Sequence, residues 1–133
     1  MAKTVLIVDD DPTQRRLMQA VLEKQGHLAE TAEDGEAGLE RVKRGGVDVV
    51  MLDMVMPGMD GITLLSKLKS QQPDLPVIIT TAHSDLDSAV SSYEEGAFEY
   101  LPKPFDIEEM VATVTRAQSQ RTQHDQVDEG QGS

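Results

Sequence analysis

Five times along the chain a short apolar run is followed by a segment of helical period, and this alternation constrains the fold more than any other feature. The runs lie at 4–8, 28–31, 47–52, 77–81 and 98–101. Three of them are nearly continuous in apolar residues, as expected for parallel strands covered on both faces. The second, "LAET", is weaker and reads as an edge strand. The helical segments mark their own ends. Asp11 can cap the first, with Pro12 at its first position; Leu17, Met18, Val21 and Leu22 make one apolar stripe, and Gly26 stops it. Asp34 caps the second, which reaches about Lys43 and ends at Gly45-Gly46. Leu64, Leu65 and Leu68 mark the third, which ends before Pro73. In the fourth, Ser84 with Asp87 resembles a capping box, Leu86, Ala89, Val90 and Tyr93 give one apolar face, and Gly96 ends it. In the fifth, Asp106 caps, Glu109 closes the box, and Ile107, Met110, Val111 and Val114 repeat the face. Alternation of this kind predicts an α/β fold, a parallel sheet with helices on both sides and right-handed crossovers.

With 133 residues the chain predicts one domain. Its absent cysteines exclude a disulfide framework and thiolate chemistry. The start, "MAKTVLIVDD", meets acid at once and lacks the apolar region of a signal peptide. No run approaches the roughly 20 apolar residues of a membrane span. The expectation is a soluble, cytoplasmic protein with no membrane partner. From about Gln118, "QSQRTQHDQVDEGQGS" has one aliphatic residue and cannot bury a core. This predicts a folded domain over 1–118 and a hydrophilic tail or linker over 119–133. Net charge is −12, with 24 acidic side chains against 12 basic ones. Binding to DNA phosphates needs the opposite balance, so no direct nucleic-acid contact is expected.

Ligands of an open parallel sheet bind beyond the carboxyl ends of its strands. The first strand delivers Asp9, Asp10 and Asp11 there, the third Asp53, the fourth Thr80 and Thr81, and the fifth Lys103. If the first and third strands are neighbours, the carboxylates of Asp9, Asp10 and Asp53 converge. Two like charges ~4 Å apart cost roughly 4 kcal/mol at an effective dielectric of 20. A hard divalent cation answers that cost, and Mg²⁺ commonly takes one or two carboxylates and fills its remaining positions with waters and phosphate oxygens. A fixed ammonium at Lys103 and a hydroxyl at Thr81 can hold further phosphoryl oxygens. Asp53 is then the candidate nucleophile, since carboxylates form aspartyl-phosphates.

Each residue also has a plainer reading. Asp11 serves as a helix cap before it serves as a ligand. Asp53 alone could be a turn residue, and Lys103 alone a solvated surface lysine. His83, at a helix start, fits a structural role better than chemistry. Met51, Met54, Met56 and Met59 read as packing and loop residues. What singles out the set is its placement at four strand ends with complementary charges.

The segments "LIVDDD", "MLDMVMPGMDG", "VIITTAHSD" and "GAFEYLPKPF" resemble, in order and spacing, the receiver domains of two-component response regulators. The resemblance covers roughly residues 3 to 118 and is nearest to receivers of the nitrogen-regulatory, sigma-54 activator type. It implies a (βα)5 flavodoxin-like three-layer sandwich with strand order 2-1-3-4-5. It implies a switch that takes a phosphoryl group from a sensor histidine kinase onto Asp53 with Mg²⁺, and that is no enzyme beyond its own phosphorylation and dephosphorylation. Asp10 is then the direct metal ligand, Asp9 acts largely through water, and the main-chain carbonyl of Val55 is a further ligand. Thr81 and Lys103 match the switch hydroxyl and the phosphate-binding lysine. Tyr100 matches the switch aromatic, turning from exposed to buried as the face of the fourth helix, fifth strand and fifth helix is reshaped. The Lys103–Pro104 bond is implied to be cis. The implied partners are an output domain or effector protein controlling transcription, and a second copy bound on phosphorylation. The chain is expected to be either an excised receiver or one that acts alone.

Two other functions share features with this sequence. Asp9-Asp10-Asp11-Pro12-Thr13 fits the Asp-x-Asp-x-Thr pattern of haloacid-dehalogenase-like phosphatases, with Asp9 as nucleophile. That scheme leaves Asp53 and "MPGMDG" without a purpose. A flavodoxin-type binding module shares the fold class, but three carboxylates after the first strand would repel a flavin phosphate.

Overall fold

The computed structural model describes residues 3–56, 59–82 and 86–132. Ten elements alternate along it: β1 (Thr4–Val8), α1 (Pro12–Lys24), β2 (Leu28–Ala32), α2 (Gly35–Lys43), β3 (Val49–Asp53), α3 (Gly61–Gln71), β4 (Val77–Thr81), α4 (Leu86–Glu94), β5 (Glu99–Pro102) and α5 (Ile107–Gly132). A two-residue antiparallel ribbon, Val55–Met56 with Met59–Asp60, leads from β3 into α3. The five strands form one parallel sheet in the order β2-β1-β3-β4-β5. This is the expected 2-1-3-4-5 order, and it makes β1 and β3 neighbours.

Side chains alternate across the sheet because a strand's period is two. Leu6, Val8, Val50, Leu52, Val77 and Ile79 join the core under α2 and α3, with Val42, Leu64, Leu65 and Leu68. Val5, Ile7, Val49, Met51 and Ile78 join the core under α1 and α5, with Met18, Leu22, Met110, Val114 and Ala117. The three central strands are buried throughout, whereas β2, at the edge, buries only Ala29 and Ala32.

The expected caps at Asp11, Asp34 and Asp106 form: their carboxylates accept N–H bonds from Thr13, Ala37 and Glu109 at 2.9, 2.8 and 2.7 Å. Gly26, Gly45, Gly46 and Gly96 adopt positive φ after their helices, where a side chain would be strained. The Lys103–Pro104 bond is cis. The Ser84 cap, His83, Pro57 and Gly58 lie outside the described residues.

The structure differs from expectation in some details, and β5, expected over 98–101, lies at Glu99–Pro102. β3 begins two residues late, because Asp48 instead accepts the Thr4 N–H at 2.8 Å and keeps its side chain off the ladder. Of the apolar face expected for α4, Ala89 packs against the core, but Leu86, Val90 and Tyr93 are 78%, 45% and 47% exposed. That helix rests on its small residues instead, with Ser92 buried and Ala89 against the core. Leu17 and Ile107 leave their stripes in the same way, each about half exposed beside an open groove shared with Phe105. The helix α5 spans Ile107–Gly132.

Candidate functional site

The carboxyl end of the sheet gathers the polar residues that the sequence placed at strand ends. Each is fixed by the last rung of a ladder. The Asp9 N–H donates to the Ala32 carbonyl at 3.2 Å, closing β1 on β2. The Met54 N–H, just past Asp53, donates to Thr80 at 2.8 Å, and the Lys103 N–H donates to Thr81 at 2.6 Å. The hydrogen bonding that builds the sheet therefore also sets the positions of Asp9, Asp53 and Lys103. Gly61 allows α3 to start close by: a Cβ there would lie 2.6 Å from the Met54 sulfur and 2.7 Å from its carbonyl oxygen.

Asp9, Asp10 and Asp53 come together, with one carboxylate oxygen from each within 4.8 Å of the others. Asp9 and Asp53 are buried at 1% and 6% exposure, and Asp10 is exposed. The Lys103 ammonium lies 3.0 Å from an oxygen of Asp9 and 3.7 Å from one of Asp53. A lysine that sequence alone could leave on the surface is thus pinned between two buried carboxylates. Asp9 Oδ1 also accepts the Asp11 N–H at 2.9 Å. Asp11 itself turns away to cap α1.

Thr81 is wholly buried at the end of β4, one residue past the Asp53–Thr80 register pair. Tyr100, in β5 beside Ile79, is buried in the core that contains Leu52 and Val77. Its backbone N–H donates to Tyr93 Oη at 3.1 Å, which ties β5 to α4. Val55 begins the ribbon two residues after Asp53.

One residue escapes the sequence reading. The Arg15 guanidinium donates to the Asp9 carbonyl at 2.7 Å. A basic residue one turn into a capped helix is common on solvated faces, so no sequence signal distinguishes it.

Electrostatically the site is out of balance. Among the described residues, three carboxylates gather where one ammonium pairs with two of them, Asp9 and Asp53, and those two have little access to water. Buried charge without a partner is costly. An all-oxygen donor set with excess negative charge suits a hard divalent cation. The residues present fit such an ion.

Known proteins place the chain. Residues 5–115 match the family model described as the response regulator receiver domain. Over 113 residues the chain is 52% identical to the DNA-binding transcriptional regulator NtrC of Escherichia coli (strain K12), covering 85% of this chain and 24% of that protein. It thus spans about a quarter of that relative's length. The structure of NtrX from Brucella abortus in complex with ADP superposes with a TM-score of 0.90 at 32% identity, covering 96% of this chain and 30% of that one. A beryllofluoride-activated NtrC4 receiver domain dimer superposes with a TM-score of 0.85 at 33% identity, covering 89% and 98% of the two chains. With the sheet order, the gathered aspartates and these likenesses in agreement, the chain belongs to the response regulator receiver domain family.

Proposed function

We propose that the chain is a phosphorylation-driven signalling switch whose phosphoacceptor is Asp53. A phosphohistidine of a sensor histidine kinase is the expected donor. The P–N bond breaks, an Asp53 carboxylate oxygen forms the new O–P bond, and the released imidazole recovers a proton. The observation that carries this reading is the convergence of Asp9, Asp10 and Asp53 beside Lys103.

Asp10, Asp53 and the Val55 carbonyl would hold Mg²⁺, with Asp9 acting largely through water. When bound, the ion offsets charge on the carboxylates and on phosphoryl oxygens. Lys103, already within 3.7 Å of Asp53, supplies the ammonium for one phosphoryl oxygen. The Thr81 hydroxyl serves another. Drawing Thr81 toward the phosphoryl group favours a buried Tyr100, and the surface of α4, β5 and α5 carries the change to a partner. A shift from 1:99 to 99:1 needs about 5.5 kcal/mol of differential interaction. A few charge-assisted hydrogen bonds of ~1.5–3 kcal/mol supply it.

An output domain or effector that regulates transcription is the proposed partner, as the NtrC likeness suggests. The segment 119–133 serves as its connector, and a second copy is a further partner, as in the NtrC4 receiver dimer. The family match speaks against the haloacid-dehalogenase-like phosphatase with Asp9 as nucleophile. So does the commitment of Asp9 to Lys103 and of Asp11 to its helix cap.

Intact mass after treatment with acetyl phosphate and Mg²⁺ tests the proposal. The wild type gains one phosphoryl group, and Asp53→Asn gains none. Borohydride trapping that labels Asp9 instead would overturn it.

A further inference from the structure

We propose that Arg15 is a positioning residue for the cation site and acts through the peptide that joins Asp9 to Asp10. The inference rests on the divalent-cation reading above. Asp9 is held at every polar atom: its N–H by Ala32, Oδ1 by the Asp11 N–H, Oδ2 by Lys103, and its carbonyl by Arg15 Nη1 at 2.7 Å. That last length is typical of a charge-assisted bond. Asp9, itself almost wholly buried, is therefore clamped by β2, α1 and the residue that follows β5.

The Asp9 carbonyl belongs to the same rigid plane as the Asp10 nitrogen. Holding that oxygen fixes the plane, and the plane sets the direction in which Asp10 projects. Asp10, whose other flanking peptide is held by the Asp11 N–H on Asp9 Oδ1, gets no guidance from its own side chain. It is exposed, and among the described residues its carboxylate takes no hydrogen bond, unlike those of Asp9 and Asp11. Yet its oxygen lies within 4.8 Å of those of Asp9 and Asp53. The backbone aims it, and Arg15 holds the backbone.

The guanidinium has two opposed effects on a divalent cation. Its charge repels the ion, and its clamp preorganises the ligand. Partially buried hydrogen bonds to the frame of a metal site commonly govern affinity by 10- to 100-fold. Repulsion from one partly solvated charge is weakened by water. The clamp therefore wins, and removing a positive charge weakens the binding of a positive ion. A purely electrostatic role predicts the reverse, so the sign decides.

The test is calorimetric titration of Mg²⁺ into the purified chain, with no phosphodonor present. Arg15→Gln should weaken Mg²⁺ binding about tenfold. Arg15→Lys, which keeps the charge and a donor but loses the fork, should fall between wild type and Arg15→Gln. Arg16→Gln, which removes an exposed charge from the next position, should bind as wild type does. Equal or tighter binding by Arg15→Gln overturns the inference. If thermal melting shows that Arg15→Gln does not fold, Arg15→Lys decides: weaker binding than wild type supports the clamp, and equal or tighter binding overturns it. A wild type that takes up no Mg²⁺ defeats the divalent-cation reading itself, whereas uptake unaffected by Arg15→Gln defeats this inference alone.

Discussion

At the β2 edge one carboxylate faces one guanidinium, while at the carboxyl end of the sheet, among the described residues, three carboxylates gather beside the ammonium of Lys103. The edge pair is closed. Arg41 Nε and Nη2 meet the two oxygens of Glu30 at 2.6 and 2.9 Å, and Nη1 donates to the Gly45 carbonyl at 2.7 Å. The hydrogen bond from Arg41 holds the Glu30 carboxyl below its ordinary range, against a smaller opposing effect of burial, and Glu30 raises Arg41 in return. Each oxygen of the carboxylate takes one donor of the guanidinium, and the two charges balance. At the site the acids outnumber the base, and two of them are buried. The same kinds of side chain thus make a strut where charges balance and a binding place where they do not.

Removing the Lys103 ammonium is the strongest challenge to this contrast. Lys103→Met should cost about 3 kcal/mol in metal-free denaturant unfolding, since it strands the buried Asp9 carboxylate. Saturating Mg²⁺ should shrink that cost to below ~1 kcal/mol, because the cation replaces the missing charge. A cost that ignores Mg²⁺ would break the account. Wild type should gain about 2.7 kcal/mol when Mg²⁺ exceeds its Kd a hundredfold, and chelation should reverse the gain.

Asp10→Asn should act with the opposite sign. Relief of repulsion at an exposed position stabilises the metal-free protein by about 1 kcal/mol. The same change should abolish most of the Mg²⁺-dependent rise in melting temperature. A metal-free loss of stability would show that Asp10 is not under repulsion.

The edge pair should respond least. Glu30→Gln should cost about 0.5 kcal/mol at pH 7, because the carboxylate is half exposed and screened. Its folded pKa is depressed, so its contribution is full above the unfolded value of about 4.3 and disappears as pH falls through the folded one. Urea midpoints of variant and wild type should therefore differ at pH 7 and draw together as pH falls below about 4.3. Mg²⁺ affinity should not change, and a tenfold loss would mean that the two regions are coupled.

The helices show how far a pattern can be read. Leu64, Leu65 and Leu68 mark α3, and all three are buried as the spacing implies. Leu86, Val90 and Tyr93 in α4 follow an equally regular spacing, yet they face water. Periodicity says that a helix has a distinct face, but only packing says which way the face turns. In α4 the small residues Ala89 and Ser92 allow close approach to the sheet, so the larger ones are left outside. The site residues were more legible, because a strand's end is a fixed place in a parallel sheet. Arg15 was not, since its partner is a backbone carbonyl that leaves no mark in composition or spacing.

The sequence by itself determined the strand–helix alternation, the capped starts of α1, α2 and α5, and the residues that each strand carries to its carboxyl end. These follow from local periodicity and from short-range hydrogen bonding. Only the tertiary structure decided that β1 lies beside β3, that Lys103 sits between Asp9 and Asp53, and that α4 shows its large apolar residues to solvent. Those outcomes depend on contacts between residues as far apart as Asp9 and Lys103, which no local pattern encodes. They are settled only when the whole chain packs and charges distant in sequence share one pocket.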